Sequence, residues 1–334
     1  MNKYGVLLLF ITLISIGCGK NKNRKVDLSG IDLDIKIARF DRDFFAVKDK
    51  DCQTGLPELF EKYPDFAPIY FGSIVQFGNN CDQICEILPR FFSDTAVNHL
   101  YTDVLEKFKD ISKIEKKLTN AFARGKYFFP KLPVPQCIIH LSGFNQSVLT
   151  GDNFISVSVD NYLGENYPAY ARPDFYTYQR QNMKPEKIPS DYIHAWLSTE
   201  FEYDASKEQL LDEMIYRGKL VYLTSLLLQS EPEELIVGYT KEQWQWCKRY
   251  EKDMWGSLIE SKHLFSNEST LRMKYLEEAP FTQPFTQKSP GRAGVYIGWR
   301  IVESYMENNP KVTPLELVQN TDAQQILEQS GYNP

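Results

Sequence analysis

The first eighteen residues decide where the rest of the chain must fold. Lys3 sets a positive charge near the start, Val6 to Ile16 is an almost unbroken apolar run, and Ser15-Ile16-Gly17 leads into Cys18. The run is shorter than the roughly 20 apolar residues that a membrane span takes. The order charged, apolar, small is that of an export signal. A cysteine directly after the small residue gives it the form of a lipoprotein signal, with residues 1–17 removed and the lipid carried on Cys18. The alternative is an ordinary secretory signal cut elsewhere. Residues 18–25 then form the lipidated cysteine and a polar, basic tether. At about 3.3 Å per residue the tether reaches roughly 20–25 Å, which keeps the folded body close to the membrane.

A net charge of −6 argues against nucleic acid as a partner. No later stretch is apolar for long enough to cross a membrane. The chain has 21 Phe and 20 Tyr, which points to a dense core or to an interface rich in rings. Cys52, Cys81, Cys85, Cys137 and Cys247 remain after the anchor, an odd number. Cys81 and Cys85 flank three residues and are candidates for a local bridge in an oxidising compartment. His99, His140, His194 and His263 stand far apart, so no His/Cys group has metal-ligand spacing. Each histidine is expected to be a satisfied structural residue.

Residues 26–334 read as a single domain, α+β and mostly helical with a small sheet. Ile31, Leu33, Ile35 and Ile37 alternate with polar residues as in a half-buried strand. A helical part follows over 41–130, with helices expected at 57–63, 94–109 and 112–124, the last ended by Gly125. Past Pro130, Pro133 and Pro135, residues 136–146 and 154–159 read as two strands of a hairpin. Helices are expected at 173–183, 190–201, 206–229, 240–260 and 298–307, with Thr240 and Gln243 as a capping box. The duplicated Pro280-Phe281-Thr282-Gln283 and Pro284-Phe285-Thr286-Gln287 read as an extended loop.

One helix could have carried chemistry. A zinc peptidase helix has H-E-x-x-H, with two imidazoles one turn apart on the metal and the glutamate activating its water. Here the pattern is Asp212-Glu213-Met214-Ile215-Tyr216. The glutamate is kept as Glu213, while an acid and a phenol replace the ligands. Glu251 falls where a third, carboxylate ligand would sit; its simpler reading is a surface residue near Arg249 and Lys252. Helical spacing places Asp212, Tyr216 and Lys219 on one face and pairs Glu213 with Arg217. Gly218 inside a helix costs about 1 kcal/mol against alanine, which implies close packing by a neighbour. Two further candidates lie in loops. Asp160 and Asn161 leave a strand edge where a peptidase would line its groove, or they cap a turn. Arg292 in Gly291-Arg292-Ala293-Gly294 is able to grip a carboxylate or peptide terminus, or serves a turn.

Residues 159–164, 212–222, Trp246-Cys247, Glu251, Met254-Trp255, Pro280-Phe281-Thr282, 289–294, 297–302 and 322–327 recur, in this order, in the gliding-motility lipoprotein family GldB of Bacteroidetes, which the chain resembles along nearly its whole length. That family is in turn similar to predicted H-E-x-x-H metallopeptidases. The resemblance implies a zincin-like scaffold that has lost its metal, with no cofactor, working by binding to other proteins of the gliding and secretion machinery. It also implies the periplasmic face of the outer membrane, since Gly19 follows the anchor and no acidic run does. Two other functions compete. One is a hydrolase with Asp212, Glu213 and Glu251 around magnesium, manganese or calcium. The other is a carbohydrate- or peptidoglycan-binding module with exposed aromatic platforms.

Overall fold

In the computed structural model, which describes residues 26–334, a small sheet stands between two unlike hydrophobic cores. The export signal, Cys18 and the tether lie outside the described residues. Strands β1 (Ala38–Arg39), β2 (Gln136–His140), β3 (Val148–Thr150) and β4 (Phe154–Ser158) are ordered β1-β2-β4-β3. Alternate side chains of a strand point to opposite faces. Ile138 and Phe154 therefore enter one core, while Cys137, Ile139, Ile155 and Val157 enter the other. Burial on both faces accounts for the apolar character of the central strands.

The expected hairpin is corrected. β2 and β4 run parallel, with Ile138 opposite Ser156 and His140 opposite Ser158. The turn at 151–153 does make a hairpin, but its first arm is β3, paired antiparallel with β4. After β2 the chain bends through Gly143 and Phe144, both at φ 69°, and so returns as β3 rather than continuing as a strand. The alternation at 31–37 is also realised differently. Ile35 and Ile37 are buried, but their N–H groups donate to Thr119 Oγ1 and Glu115 Oε1, each at 3.0 Å. Strand pairing begins only at β1.

On one side of the sheet lies an aromatic core. The ring of Phe40 meets Tyr63, Phe66 and Tyr70 edge-on at 4.7–5.1 Å, the arrangement that ring quadrupoles favour. The helices Cys52–Lys62 and Cys81–Ser93 close it and are joined by a Cys52–Cys85 disulfide. The expected Cys81–Cys85 bridge is thus overturned, and Cys81 stays a thiol. Asn80 caps the second helix, accepting from the Gln83 N–H. Cys81 and Cys85 then share one helix, and Cys85 reaches across to its neighbour.

The other side is helical. The central helix Leu210–Leu227 crosses the late helix Ala293–Asn308 at Gly218 and Gly298. A Cβ on Gly298 would overlap the Met214 carbonyl, and one on Gly218 would overlap the Gly298 backbone. The close packing expected at Gly218 is therefore present. Gly125 does not end its helix, which runs Ser112–Phe128. It is small because the Trp196 ring lies where a side chain would be, 2.5 Å from an ideal Cβ. The expected helix at 173–183 shrinks to Thr177–Arg180, and 240–260 breaks at Tyr250 into Lys241–Arg249 and Glu251–Glu260. The Thr240–Gln243 capping box forms as expected. No described helix is long and apolar enough to cross a membrane.

Candidate functional site

Just beyond the carboxyl ends of β2 and β4 the protein opens into a cleft of about 460 Å3. In sheets with parallel strands this end is where ligands collect, because loops diverge there from a fixed frame. The cleft brings together two of the three loop residues singled out in the sequence, Asn161 and Arg292. The third, Asp160, is fully buried and shapes the wall. Its carboxylate accepts from the N–H groups of Phe144 at 2.6 Å and Ser142 at 3.3 Å and from the Ser158 hydroxyl, tying the loop after β2 to the end of β4. Burial raises its pKa, against the lowering effect of those bonds. Asn161 donates to the Gln146 carbonyl at 3.2 Å.

Helix Ile188–Glu200 supplies the next side. Tyr162 donates to Asp191 at 2.7 Å, and Lys187 pairs with Asp191 at 3.2 Å while also bonding Ser190 and the Ile236 carbonyl. Lys187 and Asp191 therefore satisfy each other. His194, one turn further on, has no hydrogen-bond partner among the described residues although it lines the cleft. Burial depresses its pKa to about 3, helped by the positive charges of Arg292, Lys187 and Arg217. It is neutral at physiological pH. The expectation that every histidine is structurally satisfied fails here. It holds for His263, which bonds the Tyr275 hydroxyl at 2.9 Å. His140 is intermediate: Nδ1 meets Ser156 Oγ at 2.5 Å, while Nε2 is buried without a partner.

Arg292 is held by the proline-rich loop, which is a clamp rather than a plain extended segment. Thr282 is completely buried. Its hydroxyl donates to the Pro290 carbonyl at 2.7 Å and accepts from the Ala293 N–H at 2.9 Å. Ser289 Oγ accepts from the Thr282 N–H at 3.0 Å and donates to the Thr286 carbonyl at 2.6 Å, so both threonines of the duplication are used. Arg292 itself sits at φ 60°, a left-handed conformation that non-glycine residues adopt only where surroundings impose it. Its charge has one loose partner, Glu278 at 3.7 Å.

Asp212, Glu213, Tyr216 and Glu251, the candidate metal-site remnant, are dispersed among separate partners. Asp212 caps its own helix, accepting from the Gln209 N–H at 3.2 Å. Together with Tyr216 and Lys219 it lines a second pocket of about 130 Å3, so the shared face is real. Lys219 donates to the Asn320 carbonyl at 2.5 Å, and burial lowers its pKa to about 8. Glu213 pairs with Arg217 at 2.7 Å and Arg272 at 3.4 Å. Glu251 is not the surface residue of the simpler reading. It accepts from the hydroxyls of Tyr296 at 2.6 Å and Tyr332 at 2.9 Å and pairs with Arg300 at 3.2 Å. Among the described residues no group of three or more His, Cys, Asp or Glu is placed to hold a metal ion. Tyr170 and Trp299 lie wholly within the core and present no ring to a partner.

A profile described as gliding motility protein GldB matches residues 21–334. The chain belongs to this family. GldB membership covers both cores, the cleft and the central helix, and it makes this a gliding motility protein whose family name denotes a lipoprotein. No curated protein and no solved structure matches the chain.

Proposed function

We propose that this GldB-family protein is a non-catalytic component of the gliding and secretion machinery. A lipid on Cys18 holds it at the periplasmic face of the outer membrane, and it binds other machinery proteins through the Asn161–Arg292 cleft. The observation that carries this reading is the contrast in satisfaction. Asp212, Glu213 and Glu251 are each committed to local partners. His194 and Arg292, in the larger cavity, are largely uncommitted. Polar groups left over by the fold are the ones available to a ligand. The helix that resembles a peptidase motif is then part of the scaffold. The Cys52–Cys85 disulfide supports an oxidising compartment.

The test is a photo-reactive residue in place of Ser147, an exposed position on the cleft wall, in gliding cells. Discrete adducts with envelope proteins are expected, and Glu213→Gln is expected to leave gliding intact. Cleavage of casein or peptidoglycan peptides by the purified lipoprotein, abolished by Glu213→Gln, would overturn the reading.

A further inference from the structure

We infer that the cleft receives the free C-terminal carboxylate of a peptide, with Arg292 as its anchor; this rests on the cleft being the binding site. A guanidinium offers five donors in a planar fork matched to a carboxylate. In Arg292 that fork is nearly unused, since Glu278 stands 3.7 Å away, beyond hydrogen-bond reach, and is itself exposed. The other cation of the cleft is spent, because Lys187 is engaged by Asp191, Ser190 and the Ile236 carbonyl. The clamp of Thr282 and Ser289 fixes the backbone from which Arg292 projects, so on binding only its side chain remains to be ordered.

Further features select a peptide over a simple anion. The side-chain nitrogens of Asn161 and Asn182 donate to the Gln146 and Gly238 carbonyls at 3.2 Å and 3.1 Å, which leaves their amide oxygens as acceptors for peptide N–H groups. His194, neutral and without a partner, is able to donate to the carboxylate or accept from the chain. Phe144 and Phe175 give the wall an apolar face, braced by Arg172 at 5.6 Å and 5.4 Å from their ring centres. Asp174 is paired with Arg172 at 2.9 Å, so exposed Glu278 is the acid that an incoming carboxylate displaces from Arg292.

The experiment uses the full-length lipoprotein in detergent and a pooled hexapeptide library immobilised through its N-terminus, prepared once with free C-termini and once carboxamidated. Retention of the acid pool is expected to exceed that of the amide pool at least tenfold. Arg292→Gln should erase the difference with the melting temperature unchanged, and Arg292→Lys should restore part of it. Equal retention of the two pools, no retention of either, or discrimination that survives Arg292→Gln overturns the proposal. Complete displacement by millimolar acetate also overturns it, in favour of small free carboxylates. If the peptides fail while adducts at position 147 persist, the cleft binds internal segments and only the carboxylate anchor falls. If both fail, the binding reading falls with it.

Discussion

The two sides of the sheet are built by different means. The aromatic side relies on interlocking rings and one covalent cross-link, and its buried surface offers little for chemistry. The helical side relies on backbone-close crossings of glycines and on ion pairs between helices, Glu213 with Arg272 and Glu251 with Arg300, and it carries both the large cleft and the pocket beside Lys219. One layer is thus cross-linked and ring-packed, and the other carries the cleft through which binding is proposed. The buried polar cluster of Asp160, Ser142 and Ser158 joins them where the strands end.

This division is most severely tested at Gly298. Gly298→Val forces the central and late helices apart against the Met214 backbone, and a loss of about 5 kcal/mol or more is expected. Chemical denaturation, or the absence of folded protein, measures it. Next comes the cross-link. Cys52→Ser with Cys85→Ser should cost about 2–4 kcal/mol. Hydrogen exchange should rise over residues 40–92 and stay unchanged at the cleft; a global rise would erase the distinction between the layers. A third effect depends on pH. His140 is fully buried, with its pKa lowered by burial to about 3. Its neutral form is stable above the unfolded pKa near 6.5. As pH falls from there toward 3, only the unfolded chain takes up the proton, and stability drops by at most about 1.4 kcal/mol per unit. His194 is depressed in the same way, so His140→Gln should remove about half of the histidine-dependent slope of melting temperature against pH over that window, and His140→Gln with His194→Gln most of it. Glu213→Gln should have the smallest effect, about 1 kcal/mol or less, since its ion pairs are partly exposed to water.

Local rules carried the sequence reading far, and it failed where distant segments meet. The Thr240 cap, the Glu213–Arg217 pair and the tight approach at Gly218 depend on neighbours within one helix or on the space one residue needs. The parallel partnership of β2 and β4 depends on a loop that turns back after His140, which strand periodicity does not encode. Cys85 is four residues from one cysteine and thirty-three from its partner, so spacing favoured the wrong bridge. Gly125 has the same local signature as a helix stop, and only Trp196, far along the chain, explains it. In the cleft, Asn161 and Arg292 were legible as polar residues in loops. His194 was not, because a histidine within an apolar helix reads as core until the facing elements are known.

The lead-in at residues 35–39 has a mechanical corollary. If Cys18 carries the proposed lipid and is pulled while the cleft holds the proposed partner, the load enters the described body through Ile35 and Ile37, whose amides grip Thr119 and Glu115. It passes next to β1, which lies alongside β2 and hence in line with the strand that opens into the cleft. Anchor and cargo would then tug on opposite ends of the same short ribbon.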